Sequence, residues 1–368
     1  MAKGSKKEGG GIGELLAYAG DRKFLTYLGM ALSAFSQLLS FGPYVCIWLV
    51  ARDLIAVAPN WSEAADIAMY GWWAVGFALA SIVVYFVGLM CTHLSAFRCA
   101  SNIRKATSEH LLKLPLGYFD AHATGELRRI VDGCAASTET LLAHMLPDIA
   151  GATAMVVGLL VLLFALDWRL GAACLISVVV SFCAMAAMMS GKGAEFMKAY
   201  MGALVKMNKT GTEYVRGIPV VKVFQQTVYS FKAFHDAIAE YADMAQNYAG
   251  TFCRGPQVLN LTALNGLVAF LLPVALLLAP GETDFARFMT NFTFYAIFSA
   301  VVPTAMTKLM FVGEASQMSA DSLARIRSVM GSKQLSVPAQ PKHSAGSDVR
   351  FEDVSFTYEG AEAPAVSH

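Results

Sequence analysis

The chain has 368 residues, of which 56% are hydrophobic and 15% charged, with a formal net charge of +1 and a mean hydropathy of +0.51. Disordered chains combine low hydrophobicity with high net charge, so disorder is excluded. Without a basic excess there is also nothing to neutralise a nucleic-acid backbone, and a membrane class remains.

In chain order, residues 1–13 are polar and Gly/Lys-rich and show no cleavable signal peptide. Six apolar stretches follow, near 24–51, 68–92, 145–166, 170–189, 256–279 and 288–312. Crossing about 30 Å of hydrocarbon takes roughly 20 apolar residues in a helix, and each stretch is long enough. The segments between them alternate in charge. Basic residues cluster before the first stretch (Lys3, Lys6, Lys7, Arg22, Lys23), after the second (Arg98 to Arg129), after the fourth (Lys192 to Arg254) and after the sixth (Arg325 to Arg350). Of the 28 Lys and Arg residues, only Arg52, Arg169 and Arg287 fall on the opposite side, and Lys308 lies inside the sixth stretch. Basic loops stay cytoplasmic, so both termini are expected in the cytoplasm of a multi-pass cell-membrane protein. The five tryptophans, Trp48, Trp61, Trp72, Trp73 and Trp168, lie near the other ends of the spans, as an outer interfacial belt would.

The outer connections are short. Asp167-Trp168-Arg169 joins spans three and four, and Pro280 to Arg287 joins five and six. The inner connections are long and patterned. Thr92 to Leu114 contains no Gly or Pro and repeats apolar residues at near-helical spacing. Pro115 should stop that helix, Tyr118-Phe119 lies at the tip, and Thr124-Gly125 restarts a helix toward the membrane. In the second inner segment, Phe196 to Met207 and Thr227 to Gln246 read as amphipathic helices. Between them Gly217-Ile218-Pro219 reads as a break. At about 1.5 Å per residue, the second and third spans would run roughly 25–35 Å past the membrane. Apolar and aromatic residues at such tips mark docking surfaces. A signalling or scaffold protein with helical loops is the alternative reading of this topology.

The expected fold class is an all-α membrane protein, six transmembrane helices with long cytoplasmic helical extensions. Residues 1–23 form a cytoplasmic N-terminal segment, 24–330 the six-helix domain, 331–348 a Ser/Pro-containing linker, and 349–368 the start of another domain, opening on a strand from Val349 to Tyr358.

Four motifs carry a family resemblance. The first tip matches at Pro115, Tyr118, Phe119, Asp120, Gly125, Glu126, Leu127 and Asp132, and the second at Glu213, Gly217, Ile218, Val221, Lys222 and Phe224. The alternation Ser322 to Ile326 follows the sixth span, and Val349 to Tyr358 follows the linker. In this order, around six spans, they resemble the transmembrane half of an exporter-fold (type IV) ABC transporter. The resemblance implies a permease that moves an amphipathic or hydrophobic cargo by alternating access, most simply outward. A minority of the fold imports siderophores, and a non-transporting scaffold or channel regulator is also open. It implies coupling roles for Tyr118, Phe119, Asp120, Tyr214, Arg216, Gly217 and Ile218. Its implied partners are nucleotide-binding domains, membrane lipids and a second half-transporter, identical or not. ATP and Mg²⁺ are implied for the full-length parent, with Tyr358 stacking on adenine. No phosphate-binding G-x-x-x-x-G-K-[ST] loop occurs here, and Gly191-Lys192-Gly193 lacks its spacing. The chain by itself is expected to bind no nucleotide and hydrolyse none.

Polar residues at membrane depth tend to face cavities, which makes Gln37, Asn260, Asn265, Asn291 and Lys308 candidates for cargo contact. Helix packing, or snorkelling for Lys308, is the alternative for each. The seven cysteines show no metal-ligand spacing and read as packing residues, so no metal site is expected.

Overall fold

A computed structural model describes residues 11–189, 191–223, 229–335, 346–357 and 363–367. The chain opens with α1 (Gly11–Ala17), and the first span then splits into α2 (Lys23–Leu39) and α3 (Gly42–Val57). The sequence predicts one helix here. Pro43 has no N–H for the Leu39 carbonyl, and the helix breaks at Ser40-Phe41 just before it.

The second span is α4 (Ile67–Leu111), 45 residues without a break. At 1.5 Å per residue it is roughly 65–70 Å long, more than twice the hydrocarbon thickness. The chain turns through α5 (Leu116–Ala121) and rises through α6 (Thr124–Arg128), α7 (Cys134–Thr140) and α8 (Leu146–Ala165). Two π turns, Arg129–Gly133 and Leu141–Met145, join these three helices. The fourth span is α9 (Trp168–Met189), and after a turn at Gly191 α10 (Lys192–Val223) forms the first arm of the second long hairpin.

Here the expected break at Gly217-Ile218-Pro219 is absent, because α10 runs through Pro219 to Val223. The carbonyl that Pro219 leaves without a donor belongs to Val215, an exposed residue, so water can satisfy it. Helix α11 (Tyr229–Gln246) returns, and a π turn leads into α12 (Arg254–Asn265) and α13 (Leu267–Leu278), bent by 53° about Gly266. Helix α14 (Phe285–Phe298) and α15 (Val301–Met330) complete the bundle. Among the described residues five helical runs are long and apolar enough to cross a membrane, and six if α12–α13 is one bent span. From Val349 to Thr357 no strand forms, in keeping with the expectation that a lone strand here stays loosely packed with nothing to bury against. Among the described residues a single antiparallel bridge joins Phe356 to Val366, and Val349 and Phe351 stay exposed.

Packing is tightest where α2 crosses α4 and α8. A Cβ on Gly29 would lie 2.6 Å from the Gly88 carbonyl oxygen and against the Thr92 methyl. Hydrocarbon gives helices no hydrophobic reason to associate, so close backbone approach and interhelical hydrogen bonds do the work. Thr26 donates to Ser95 at 2.7 Å, and Ser33 donates to the Pro147 carbonyl at 2.7 Å. Pro147 also deprives the Ala143 carbonyl of its i+4 donor, and the Thr92 hydroxyl supplies one at 2.9 Å.

Two buried clusters form. The outer one gathers Phe41, Leu159, Leu163, Leu170, Phe294 and Phe298 from spans one, three, four and six. Within it the Tyr295 hydroxyl donates to the Leu163 carbonyl at 2.6 Å and accepts the Asp167 N–H at 3.1 Å. The second cluster packs Leu15, Leu16 and Ala19 against Cys99 and Ile103 of α4 and Ile326 of α15. An ion pair between Glu14 and Arg327 and a bond from Asn102 to the Tyr18 carbonyl, 2.7 Å, hold α1 there.

On the outer face Arg169 reaches Asp167 at 3.1 Å and Glu282 at 2.5 Å, fastening the 3–4 connection to the 5–6 connection. Burial raises the Asp167 carboxyl, but hydrogen bonds from Arg169 outweigh it and hold the group below its ordinary 3.8.

Gly29→Val is expected to destabilise the bundle by about 1–3 kcal/mol through overpacking, read as a lower melting midpoint in detergent. An unchanged midpoint would contradict the close crossing. A depressed carboxyl pKa stabilises the fold above the unfolded value, and that contribution disappears as pH falls through the folded one. Arg169→Gln should therefore lower the melting midpoint at pH 7, and the difference from the parent should shrink as pH drops below 3.8. A pH-independent difference would rule out the Asp167 pairing as its source.

Candidate functional site

The first hairpin tip is built by punctuation. Helix α4 ends at Leu111, and Pro115, in extended conformation, caps α5. This six-residue helix carries Tyr118, Phe119 and Asp120. The Tyr118 ring stacks on His122 at 4.1 Å, and His122 Nδ1 lies 2.9 Å from the Tyr118 carbonyl. Phe119 meets the Tyr118 ring edge-on at 5.9 Å. Leu112 and Leu116 are each 85% exposed, and Phe119 and Asp120 are exposed too. A fixed aromatic pair thus sits among bare apolar side chains at the far end of a rigid 45-residue helix.

A second segment joins this tip. Beyond α15, the Leu335 N–H donates to the Lys113 carbonyl at 2.8 Å. The His110 ring lies 3.1 Å from the Ser332 carbonyl and 2.7 Å from the Gln334 amide nitrogen. The start of the linker is therefore docked on the end of α4, just before α5. Nothing local in the sequence signals this, because the contact joins residues more than 200 positions apart, two of its bonds through the His110 ring and one through backbone groups.

The second tip lies on the last turns of α10. Tyr214, Gly217 and Ile218 are half-buried and Arg216 is exposed. The Tyr214 ring stacks on Phe234 of α11 at 5.9 Å. An open groove of about 530 Å³ between the two helices is lined by Met207, Gly211, Val215, Arg216 and Phe234. A Cβ at Gly217 would meet nothing within 4 Å, so this chain's own packing does not require glycine there. Helix α5 is not among the packed neighbours of α10 or α11, and the two tips present separate surfaces.

The polar residues singled out within the spans are scattered. Asn260 is buried and accepts from Ser181 at 2.5 Å. Asn291 is buried and accepts from the Trp48 indole at 3.1 Å. Asn265 is exposed and donates to its own helix at Leu261, 2.9 Å. Gln37 is half-buried against Gly151 of α8. The Lys308 side chain and Tyr358 lie outside the described residues. The structure gathers these residues into no single cavity.

A different group converges at the outer ends of the spans. An open cavity of about 450 Å³ is lined by Trp48, Arg52, Leu166, Asp284, Arg287 and Asn291. One of about 560 Å³ adjoins it, shares Asp284, Arg287 and Asn291, and adds Asp167, Arg169 and Glu282.

Gly191 lies in the turn between α9 and α10, and Lys192-Gly193 open α10, whereas a phosphate loop links a strand to a helix with spaced backbone N–H groups. The described residues also hold no group of three or more His, Cys, Asp or Glu able to take a metal ion.

Comparison with known proteins agrees with this architecture. The mycobactin import ATP-binding/permease protein IrtA of Mycolicibacterium smegmatis is 26% identical over 245 residues, covering 66% of this chain and 27% of that protein. The ATP-dependent lipid A-core flippase of Vibrio vulnificus is 22% identical over 288 residues, covering 77% of this chain and 48% of that protein. The flippase of Photobacterium profundum is 22% identical over 313 residues, 83% of this chain and 51% of that protein. The chain thus spans between about a quarter and a half of the relatives it matches. Residues 26–302 match the ABC transporter transmembrane region, and the chain, a multi-pass membrane protein, belongs to that family.

Proposed function

We propose that this chain is the permease part of an ATP-driven ABC transporter that moves an amphipathic or hydrophobic cargo by alternating access. The observation that carries the reading is the pair of exposed tips: α5 beyond α4, a helix that runs unbroken out of its span, and the end of α10, which follows the fourth span after a turn at Gly191. A long unbroken helix transmits displacement along its axis. Seating Tyr118, Phe119 and Asp120, together with Tyr214, Arg216, Gly217 and Ile218, in nucleotide-binding domains would turn their closure into rigid-body motion of the spans. Those domains, where ATP and Mg²⁺ would be bound, and a second half-transporter, identical or not, are the partners this reading requires. Both termini are placed in the cytoplasm by the distribution of Lys and Arg.

Export is the simpler direction, in keeping with the flippase relatives. Import of a siderophore-type cargo is the second reading, and the likeness to a mycobactin importer favours it. A membrane scaffold or channel regulator would leave the two tips without a motor.

The test is made with the transporter complete with its nucleotide-binding domains, reconstituted in vesicles. Tyr118→Ala and Gly217→Asp are each expected to reduce cargo-stimulated ATPase activity to the unstimulated rate while the protein inserts normally. Cysteines placed at 118 and 216 should cross-link to the ATPase subunit. Unchanged stimulation and no cross-link would sink the coupling assignment.

A further inference from the structure

We propose that the outer vestibule is a binding site for the anionic head group, phosphate or carboxylate, of an amphiphile, with Arg287 as its principal contact and Arg52 beside it. The basic residues carry the argument first. Arg52, Arg169 and Arg287 are set apart from the cytoplasmic clusters of Lys and Arg. All three line the two adjoining cavities at one end of the bundle.

Their surroundings then separate them. Arg169 is neutralised by Asp167 and Glu282. Arg52 is bonded to Asp53 at 2.8 Å and its guanidinium lies 5.7 Å from the Trp48 ring centre. Among the described residues no carboxylate stands within 4.0 Å of the Arg287 guanidinium. Asp284, which lines the same cavity, accepts from the Arg287 backbone N–H at 3.0 Å. An unmatched guanidinium at a cavity wall is a fork of donors suited to phosphate or carboxylate.

The neighbouring groups agree. The Asn291 amide reaches a protein acceptor only at 3.5 Å, the Leu166 carbonyl, and so keeps donor capacity. Trp48, Ala165 and Leu166 make the remaining wall apolar, which suits the part of an amphiphile next to its head group. The site also lies at the level of Trp48 and Trp168, where an interfacial belt meets lipid head groups. Which leaflet that is rests on the orientation proposed above. The site itself does not.

The full chain, purified in neutral detergent, is titrated with phosphatidylglycerol, phosphatidylcholine and inorganic phosphate, and bound species are read by native mass spectrometry. Phosphatidylglycerol should be retained about tenfold better than phosphatidylcholine, the scale of one charge-assisted hydrogen bond. Arg287→Gln should abolish that preference and Arg287→Lys should keep part of it, both eluting from size exclusion like the parent. Arg22→Gln, remote from the cavity, should leave it unchanged. Displacement of phosphatidylglycerol by inorganic phosphate would identify a free anion as a sufficient ligand, and lack of displacement would identify the lipid. Equal retention of the two lipids, or a preference that survives Arg287→Gln, overturns the proposal. No motor is present in this assay, so the transport reading can fail without affecting the result.

Discussion

Everything in this bundle depends on satisfying backbone polar groups where no water can reach them. In hydrocarbon an unpaired carbonyl costs several kcal/mol, yet the spans carry prolines that create such carbonyls. At Pro147 the chain solves the problem with a neighbour, Thr92, whose hydroxyl reaches the Ala143 carbonyl from another helix. That contact requires α2, α4 and α8 to sit close together, and the glycine at 29 facing the one at 88 lets them. A bond that repairs one helix thereby fixes the position of a second against a third.

The same rule sorts the prolines by surroundings. Pro43 breaks the first span in two, and Pro219 sits inside α10, where an exposed Val215 leaves its carbonyl open to water. The spans are therefore jointed near the membrane, whereas α4 and α10 are continuous beyond it. Straight levers with ring-stacked tips, Tyr118 on His122 and Tyr214 on Phe234, can transmit force. The jointed segments are where movement can be absorbed. Docking of Ser332 to Leu335 on the end of α4 adds a second attachment just before the first tip, so the linker and the tip would move together.

The outer end is organised by charge rather than by backbone repair. Arg169 with Asp167 and Glu282 closes one side of the vestibule, and Arg287 lines it with no carboxylate within 4.0 Å of its guanidinium among the described residues. One basic residue thus serves structure while another stays available, although both lie in the first turn of a helix that follows a short connection.

Much of the fold was legible in the amino-acid order alone. Span lengths follow from hydrocarbon thickness and the inner helices from apolar spacing, so the extension of α4 past its span and α11 fall close to where the pattern places them, whereas α10 runs well beyond the expected 196–207 and the short α5 carried no helical signal. The break at Pro219 was misread because a proline's cost depends on whether solvent reaches the carbonyl it strands. Asn260 and Asn291 could not be assigned from sequence, since the same residue types face a cavity or a neighbouring helix, and here Ser181 and Trp48 hold them. What the sequence by itself determined is the approximate position and length of the spans and the helical character of their inner extensions, because those are set by each residue and its near neighbours. Only the tertiary structure decided which faces meet: Thr92 on Ala143, the linker on His110, and Arg52, Arg169 and Arg287 around one vestibule. Such contacts join residues tens to hundreds of positions apart, and no local pattern encodes them.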